Sequence, residues 1–273
     1  MEKKLDLENK VKLGKGNYGI VYKVLNKEDN KYYAMKEISE YDENIKNEIT
    51  ILSNINNDNI VKYYNSFVYN DKPYIIMEFC ENGDLRQFIE KYKQNNKLIE
   101  KNVILFIILD ICNGLKEIHN KSIIHRDLKP ENIFISKDYK IKIGDFGISK
   151  QLDISNPYAK TQKGTFKYMA PEMLNSSAKY NNKIDIWALG CIIFELCTLK
   201  CCFDCDNLIG LFNKIINEKH DSINIEYYSL ELQDLIDLLL KKNYKERPDI
   251  NIVYNKIMIY KKQYILENIN LLY

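Results

Sequence analysis

The chain has 273 residues, 45% of them hydrophobic, and 40 Lys+Arg against 38 Asp+Glu leave a net charge of +2. That is enough apolar material for one large domain or two lobes, and the near-neutral balance argues against a nucleic-acid binder or a membrane-surface binder. No apolar run approaches the roughly 18–20 residues of a membrane span; the start Met1-Glu2-Lys3-Lys4 leads into no signal-peptide core, and seven Cys without a secretion signal point to free thiols in a reducing, cytoplasmic compartment.

The first 80 residues alternate in the manner of strands at Leu5–Leu13, Ile20–Leu25, Tyr32–Ile38, Ile60–Tyr69 and Tyr74–Phe79. One helical stretch, Glu43–Ile55, interrupts them, with Ile45, Ile49, Leu52 and Ile55 at helical spacing. Beyond residue 83 the pattern predicts helices over Asp84–Lys93, Glu100–Asn120, Lys183–Leu199, Asn207–Asn217, Leu230–Lys241 and Asp249–Lys262, with short strands at Ile133–Ile135 and Lys140–Ile143. The predicted architecture is α+β and two-lobed: a small β-rich lobe over residues 1–80 with one helix, and a larger α-helical lobe over 81–273.

The composition is biased: 32 residues are Asn, and 37 of the 40 basic residues are Lys, leaving Arg86, Arg126 and Arg247. Rare residues are therefore informative here. Three of the ten glycines fall in Gly14-x-Gly16-x-x-Gly19, followed by Val21 in a strand. A dinucleotide fingerprint needs a helix after the loop; a strand favours a hairpin lying over phosphates, and a plain Gly-rich hairpin is the competing reading. Lys36 sits on the alternating strand Tyr33-Ala34-Met35-Lys36, where Glu48 of the predicted helix, or Glu43, could pair with it. His125-Arg126-Asp127-Leu128-Lys129-Pro130-Glu131-Asn132 gathers rare residues into one loop, and Asp145-Phe146-Gly147 follows after another strand. Carboxylate and amide oxygens at these positions suit a divalent cation bound to phosphates, with one carboxylate left as a base.

These motifs, with Ala170-Pro171-Glu172 and the helix opening at Asp185, resemble the eukaryotic protein kinases of Ser/Thr type over about residues 8–262. The resemblance implies an ATP-dependent transfer of the γ-phosphate to Ser/Thr of a protein substrate, with Mg²⁺. It assigns Lys36 to the α/β-phosphates, held by Glu48; Asp127 to the substrate hydroxyl; Lys129 to the γ-phosphate; Asn132 and Asp145 to the metal. Gly14, Gly16 and Gly19 cover the phosphates. Val21, Ala34 and Phe134 enclose adenine, Met77 is the gatekeeper, the backbone of Glu78 and Cys80 bonds adenine, and Asp84 reaches the ribose. Glu172 and Arg247 form a structural ion pair, and Asp185 is a further structural residue.

Lys129 and Gly164-Thr165 point to Ser/Thr over Tyr as acceptor. Arg126 beside Asp127 implies regulation by a phosphate on the activation segment, best at Thr161, with Ser155 and Tyr158 as alternatives, or by an unknown regulatory partner. Met35-Lys36-Glu37-Ile38 and Asn132-Ile133-Phe134 are similar to the NIMA-related kinases, parts also resemble the kinases of translation initiation factor 2α, and Phe166-Lys167 depart from both. A catalytically silent scaffold and a small-molecule kinase are the alternatives; the full set Lys36, Glu48, Asp127, Asn132 and Asp145 argues against the first. The cluster Cys197, Cys201, Cys202 and Cys205 fits a helix-end turn better than a zinc site, and Cys80 is a candidate reactive thiol.

Overall fold

The computed structural model describes residues 4–16, 19–38, 49–50, 53–145, 163–174 and 181–270, without the side chains of 16, 163–165 and 265–270. Strands β1 (Val11–Gly16), β2 (Gly19–Asn26), β3 (Lys31–Ile38), β4 (Tyr63–Tyr69) and β5 (Lys72–Glu78) form one antiparallel sheet in the order β1-β2-β3-β5-β4. Period-two alternation sorts its side chains. Tyr33, Met35, Tyr74 and Ile76 pack with Val24 and Leu5 on one face. Ile38 and Ile75 pack on the other, against Ile49, Tyr63 and Met77. Lys36 has the parity of Ala34 and Ile38, so it shares this second face.

Two predicted strands differ. The alternation at Leu5–Leu13 is not one strand: β1 begins at Val11, and Leu5 makes a single bridge to Asn26 while its side chain plugs the sheet core. The first apolar residue belonged to packing, not to a ladder. Likewise β4 starts at Tyr63, because Ile60 and Val61 are held elsewhere. The Val61 N–H donates to Ile143 O at 2.8 Å, and the Ile143 N–H to Asn59 O at 2.9 Å. Of the helix predicted over Glu43–Ile55, Ile49, Thr50 and Ser53 are helical and Ile55 is not, and residues 39–48 and 51–52 lie outside the described ones.

The remainder is helical: α1 (Leu85–Gln94), α2 (Lys101–Asn120), α3 (Lys183–Thr198), α4 (Leu208–Asn217), the short α5 (Ile225–Tyr228), α6 (Leu230–Leu239) and α7 (Ile250–Asn270), with the hairpin β6 (Ile133–Ile135) and β7 (Ile141–Ile143) between α2 and α3. Asp84 caps α1 by accepting from the Gln87 N–H, and Asn207 caps α4 by accepting from the Gly210 N–H. Helix α3 is the axis of this part, since Ile184 through Cys197 are all buried. A helix apolar on every side belongs inside, which makes its two buried carboxylates, Asp185 and Glu195, conspicuous. Trp187 on this helix stacks on Phe203 at 5.7 Å.

Candidate active site

A cavity of about 640 Å³ lies between the second face of the sheet and the β6–β7 hairpin. Its size is that of a small-molecule pocket. Its apolar walls include Val21 of β2, Ala34 of β3 and Phe134 of β6, with Met77, Glu78 and Cys80 along the strand that leaves the sheet. Its polar end gathers Lys36, Asp127, Lys129, Asn132 and Asp145. Residues 36 and 145 come from opposite sides of the cavity, yet Lys36 Nζ donates to Asp145 Oδ1 at 2.6 Å. Glu48, the partner expected for Lys36, lies outside the described residues, as do Phe146, Leu52 and Thr161.

The glycines of the first hairpin do different work. Gly14 lines the cavity, and a Cβ there would meet nothing within 4 Å. At Gly19, φ is +144° and a Cβ would sit 1.6 Å from the Glu37 carbonyl oxygen. The pairing of β2 with β3 alone therefore requires Gly19. Gly16 pairs with Gly19 across the hairpin.

The loop before β6 is shaped by one carboxylate. Asp185 Oδ2 accepts from the His125 backbone N–H at 2.9 Å and Oδ1 from that of Arg126 at 2.9 Å. His119 Nε2 lies 2.9 Å from the same Oδ2. Burial pushes the Asp185 carboxyl upward, but the His119 hydrogen bond and charge, with the His125 N–H, outweigh it and hold the carboxyl below its ordinary value of 3.8. These bonds sustain a backbone with φ of +68° at Arg126, an uncommon conformation for a non-glycine residue. Below it, Lys129 Nζ donates to Asp127 Oδ2 at 2.9 Å, and Asn132 Nδ2 donates to Asp127 O at 2.7 Å and Oδ2 at 3.1 Å. The Asn132 amide is thereby fixed with its nitrogen toward Asp127. His125 Nε2 reaches Gly144 O at 3.1 Å, which ties this loop to the residue before Asp145.

On the apolar side the Glu78 N–H is already bonded to Lys62 O at 2.8 Å, so Glu78 has its carbonyl, not its N–H, to offer a ligand. The Glu78 side chain turns away and pairs with Lys142 at 3.0 Å. Cys80 is buried, and burial, reinforced by the Glu78 charge, pushes its thiol up to about 12. That corrects its reading as a reactive thiol, since the thiolate is the nucleophile. Asp84 uses one oxygen on its helix cap, and burial raises its carboxyl. Cys197, Cys201, Cys202 and Cys205 are free thiols, and no group of three or more metal-ligating side chains occurs among the described residues.

Away from the cavity, Arg247 and Glu172 form a two-pronged ion pair, Nη1 to Oε1 at 2.7 Å and Nη2 to Oε2 at 2.8 Å. Motif reading passed over some of the lining, including Leu13, Val61, Gly83 and Gln87. Leu13 directly precedes the glycine motif and Val61 sits in an apolar run, so each had a local cue of position but none of chemistry. His119 was missed because its contact with Asp185 spans 66 residues.

Residues 7–258 match the family model described as "Protein kinase domain". The chain belongs to the protein kinase domain family. Its β-rich sheet, helical part and intervening cavity are the two-lobed α+β kinase fold. The chain is 38% identical to serine/threonine-protein kinase Nek1 of Mus musculus over 268 residues, which covers 96% of this chain and 22% of that protein. It is 39% identical to the probable serine/threonine-protein kinase nek2 of Dictyostelium discoideum over 252 residues, 88% of this chain and 59% of that protein. With serine/threonine-protein kinase Nek5 of Homo sapiens it shares 39% over 251 residues, 89% of this chain and 35% of that protein. The NIMA-related likeness read from Met35–Ile38 and Asn132–Phe134 agrees with these relatives. The kinase chain spans between about a fifth and three fifths of the length of these relatives.

Proposed function

We propose that this protein kinase domain transfers the γ-phosphoryl group of ATP, as its Mg²⁺ complex, to Ser or Thr hydroxyls of proteins. The observation that carries this reading is the convergence of Lys36 and Asp145, from opposite sides of the cavity, beside Asp127, Lys129 and Asn132. An adenine fits between Val21 and Ala34 on one side and Phe134 on the other, with Met77 at the back. The Cys80 N–H makes no hydrogen bond among the described residues, and with the Glu78 carbonyl it forms a donor–acceptor pair for the base edge. Asp84 keeps a second oxygen for the ribose.

The donor set suits a small, hard cation. Asp145 supplies a carboxylate and Asn132 an amide oxygen; two protein ligands, with phosphates and waters completing the shell, match the habit of Mg²⁺. When bound, the ion neutralises charge on the β- and γ-phosphates. Lys36 binds the α/β-phosphates and Lys129 the γ-phosphate. The acceptor oxygen bonds to the γ-phosphorus, the bond to the β-bridging oxygen breaks, ADP leaves, and Asp127 takes the hydroxyl proton. The hydrogen bonds from Lys129 and Asn132 hold the Asp127 carboxylate in place for this, so positioning carries the catalysis.

Arg126 and Thr161 form the proposed regulatory pair, in which a phosphate on Thr161 pairs with the Arg126 guanidinium. A regulatory partner and a cytoplasmic location belong to the same reading; no helix among the described residues is long and apolar enough to cross a membrane. Purified protein with Mg-ATP and a degenerate peptide library tests the function. Transfer to Ser or Thr that is lost in Asp145→Asn supports it. Absence of transfer with ATP still bound, even after Thr161 is phosphorylated by another kinase, refutes it in favour of a scaffold.

A further inference from the structure

In a chain with only three arginines, Arg126 and Arg247 have been placed, and Arg86 has not. It lies in the first turn of α1 and reaches across the lower rim of the cavity. Its Nε donates to Glu131 Oε1 at 2.9 Å and its Nη1 to Glu195 Oε1 at 2.6 Å. Its Nη2 donates to the Tyr168 hydroxyl and, at 3.4 Å, to Glu195 Oε2. One planar fork thus joins four elements: α1, the loop carrying Asp127, the segment that leads to Ala170 and α3. A lysine has a single nitrogen and cannot span this set.

Two carboxylates converge on this guanidinium, Glu131 from the loop of the proposed base and the buried Glu195 from α3. Glu131 lines the cavity with Asp127, four residues before it in the same loop, and Tyr168 borders the small cleft beneath Arg126 and Asp127. Left open, Glu131 and Glu195 would draw a Lys or Arg of the incoming chain. Here the cation is already supplied from within. An incoming cation would have to displace a guanidinium held at several points and covalently tethered, against its like charge. The neighbouring rim is matched in the same way, since Lys167 pairs with Asp204 at 2.8 Å. Glu131 Oε2 has no hydrogen-bond partner among the described residues, so it is the atom through which an opened site would grip a cation.

We propose that Arg86 is a specificity-determining residue: an internal guanidinium that fills the acidic subsite beside Asp127, so that this kinase domain takes acceptor peptides without Arg or Lys next to the phosphoacceptor. The proposal rests on the protein-kinase reading above and adds the substrate class.

The test compares wild type, Arg86→Gln and the double variant Arg86→Gln/Glu195→Gln, which removes the buried carboxylate that the single variant orphans. Each is checked for folding by thermal melting, then assayed on a degenerate peptide library, and for binding of a labelled Arg-containing peptide by fluorescence anisotropy. The expected result is no enrichment of basic residues by wild type, and a gain of about tenfold or more for Arg at one flanking position in a folded Arg86 variant. Adding Glu131→Gln should abolish the gain. A folded Arg86 variant with the wild-type residue choice and peptide affinity overturns the proposal, as does a wild type that already selects Arg. If no form phosphorylates any peptide with ATP bound and Thr161 already phosphorylated, the kinase reading fails, while anisotropy still decides whether Arg86 closes the subsite.

Discussion

The buried guanidinium of Arg247 donates to five oxygen atoms, and Glu172 takes two of the bonds. The others go to the carbonyls of Lys241, Lys183 and Lys242. The Trp187 ring lies 4.9 Å from its central carbon. The Arg247 side chain is 0% exposed and that of Glu172 8%. Removing one partner of such a pair leaves the other charge buried. Arg247→Ala should therefore cost about 3–5 kcal/mol, measured by urea unfolding. Arg247→Lys should cost nearly as much, because an ammonium cannot supply five donors in one plane. A change within about 0.5 kcal/mol in either variant would contradict this account.

Asp185 predicts a pH dependence. Its carboxyl is held below 3.8, so its stabilisation is fully present above that value and is lost as pH falls through the lower folded-state value. Asp185→Asn should lose about 1.5–3 kcal/mol at neutral pH, the range for hydrogen bonds to a charged group. The gap between variant and wild type should narrow below about pH 4. Unfolding curves at pH 7 and pH 3 check the sign: a gap that widens in acid is the wrong one.

Gly144 predicts an effect on nucleotide affinity. A Cβ there would approach the Phe134 ring and Val61 Cγ2, each at 2.8 Å. Both line the cavity. Gly144→Ala should push Phe134 toward the adenine space and raise KM for ATP several-fold, with a smaller change in kcat. Steady-state kinetics separates the two, and an unchanged KM would show that the ring yields without entering the cavity.

Alkylation tests the Cys80 thiol. With its pKa pushed up to about 12, its thiolate fraction at pH 7.5 is on the order of 10⁻⁵ to 10⁻⁴, against roughly a tenth for an ordinary thiol. Iodoacetamide should leave Cys80 unmodified long after a small-molecule thiol has reacted, as read by peptide mass spectrometry. Early modification of Cys80 would mean that the thiol is not buried as described.

What the sequence revealed follows from distance along the chain. Asp127, Lys129 and Asn132 lie within six residues, so their shared chemistry shows in one window. Lys36 and Asp145 are 109 apart, and only the resemblance to kinases joined them before the structure did. Strand alternation gave Lys36 the right parity, yet the same signal misread Leu5, which fills the sheet core from outside the ladder. Long, strongly apolar helices such as α2 and α3 announced themselves by content, whereas four-residue α5 is too short for a periodic signal. Arg86, His119 and Lys142 carried no sign of their partners, because each meets them through contacts of tertiary folding between 45 and 109 residues away.

The bonds that Asp185 makes to the His125 and Arg126 amides also have an order in time. A ribosome reaches the loop holding Asp127 some 60 residues before the carboxylate that shapes it. At about 5–20 residues per second, that interval lasts roughly 3–12 s. During it the nascent loop lacks the acceptor that sustains the unusual backbone at Arg126. A growing chain therefore gains the means to fix its proposed base only once the helix of Asp185 has emerged and docked, and a chain stalled before that point is born without it.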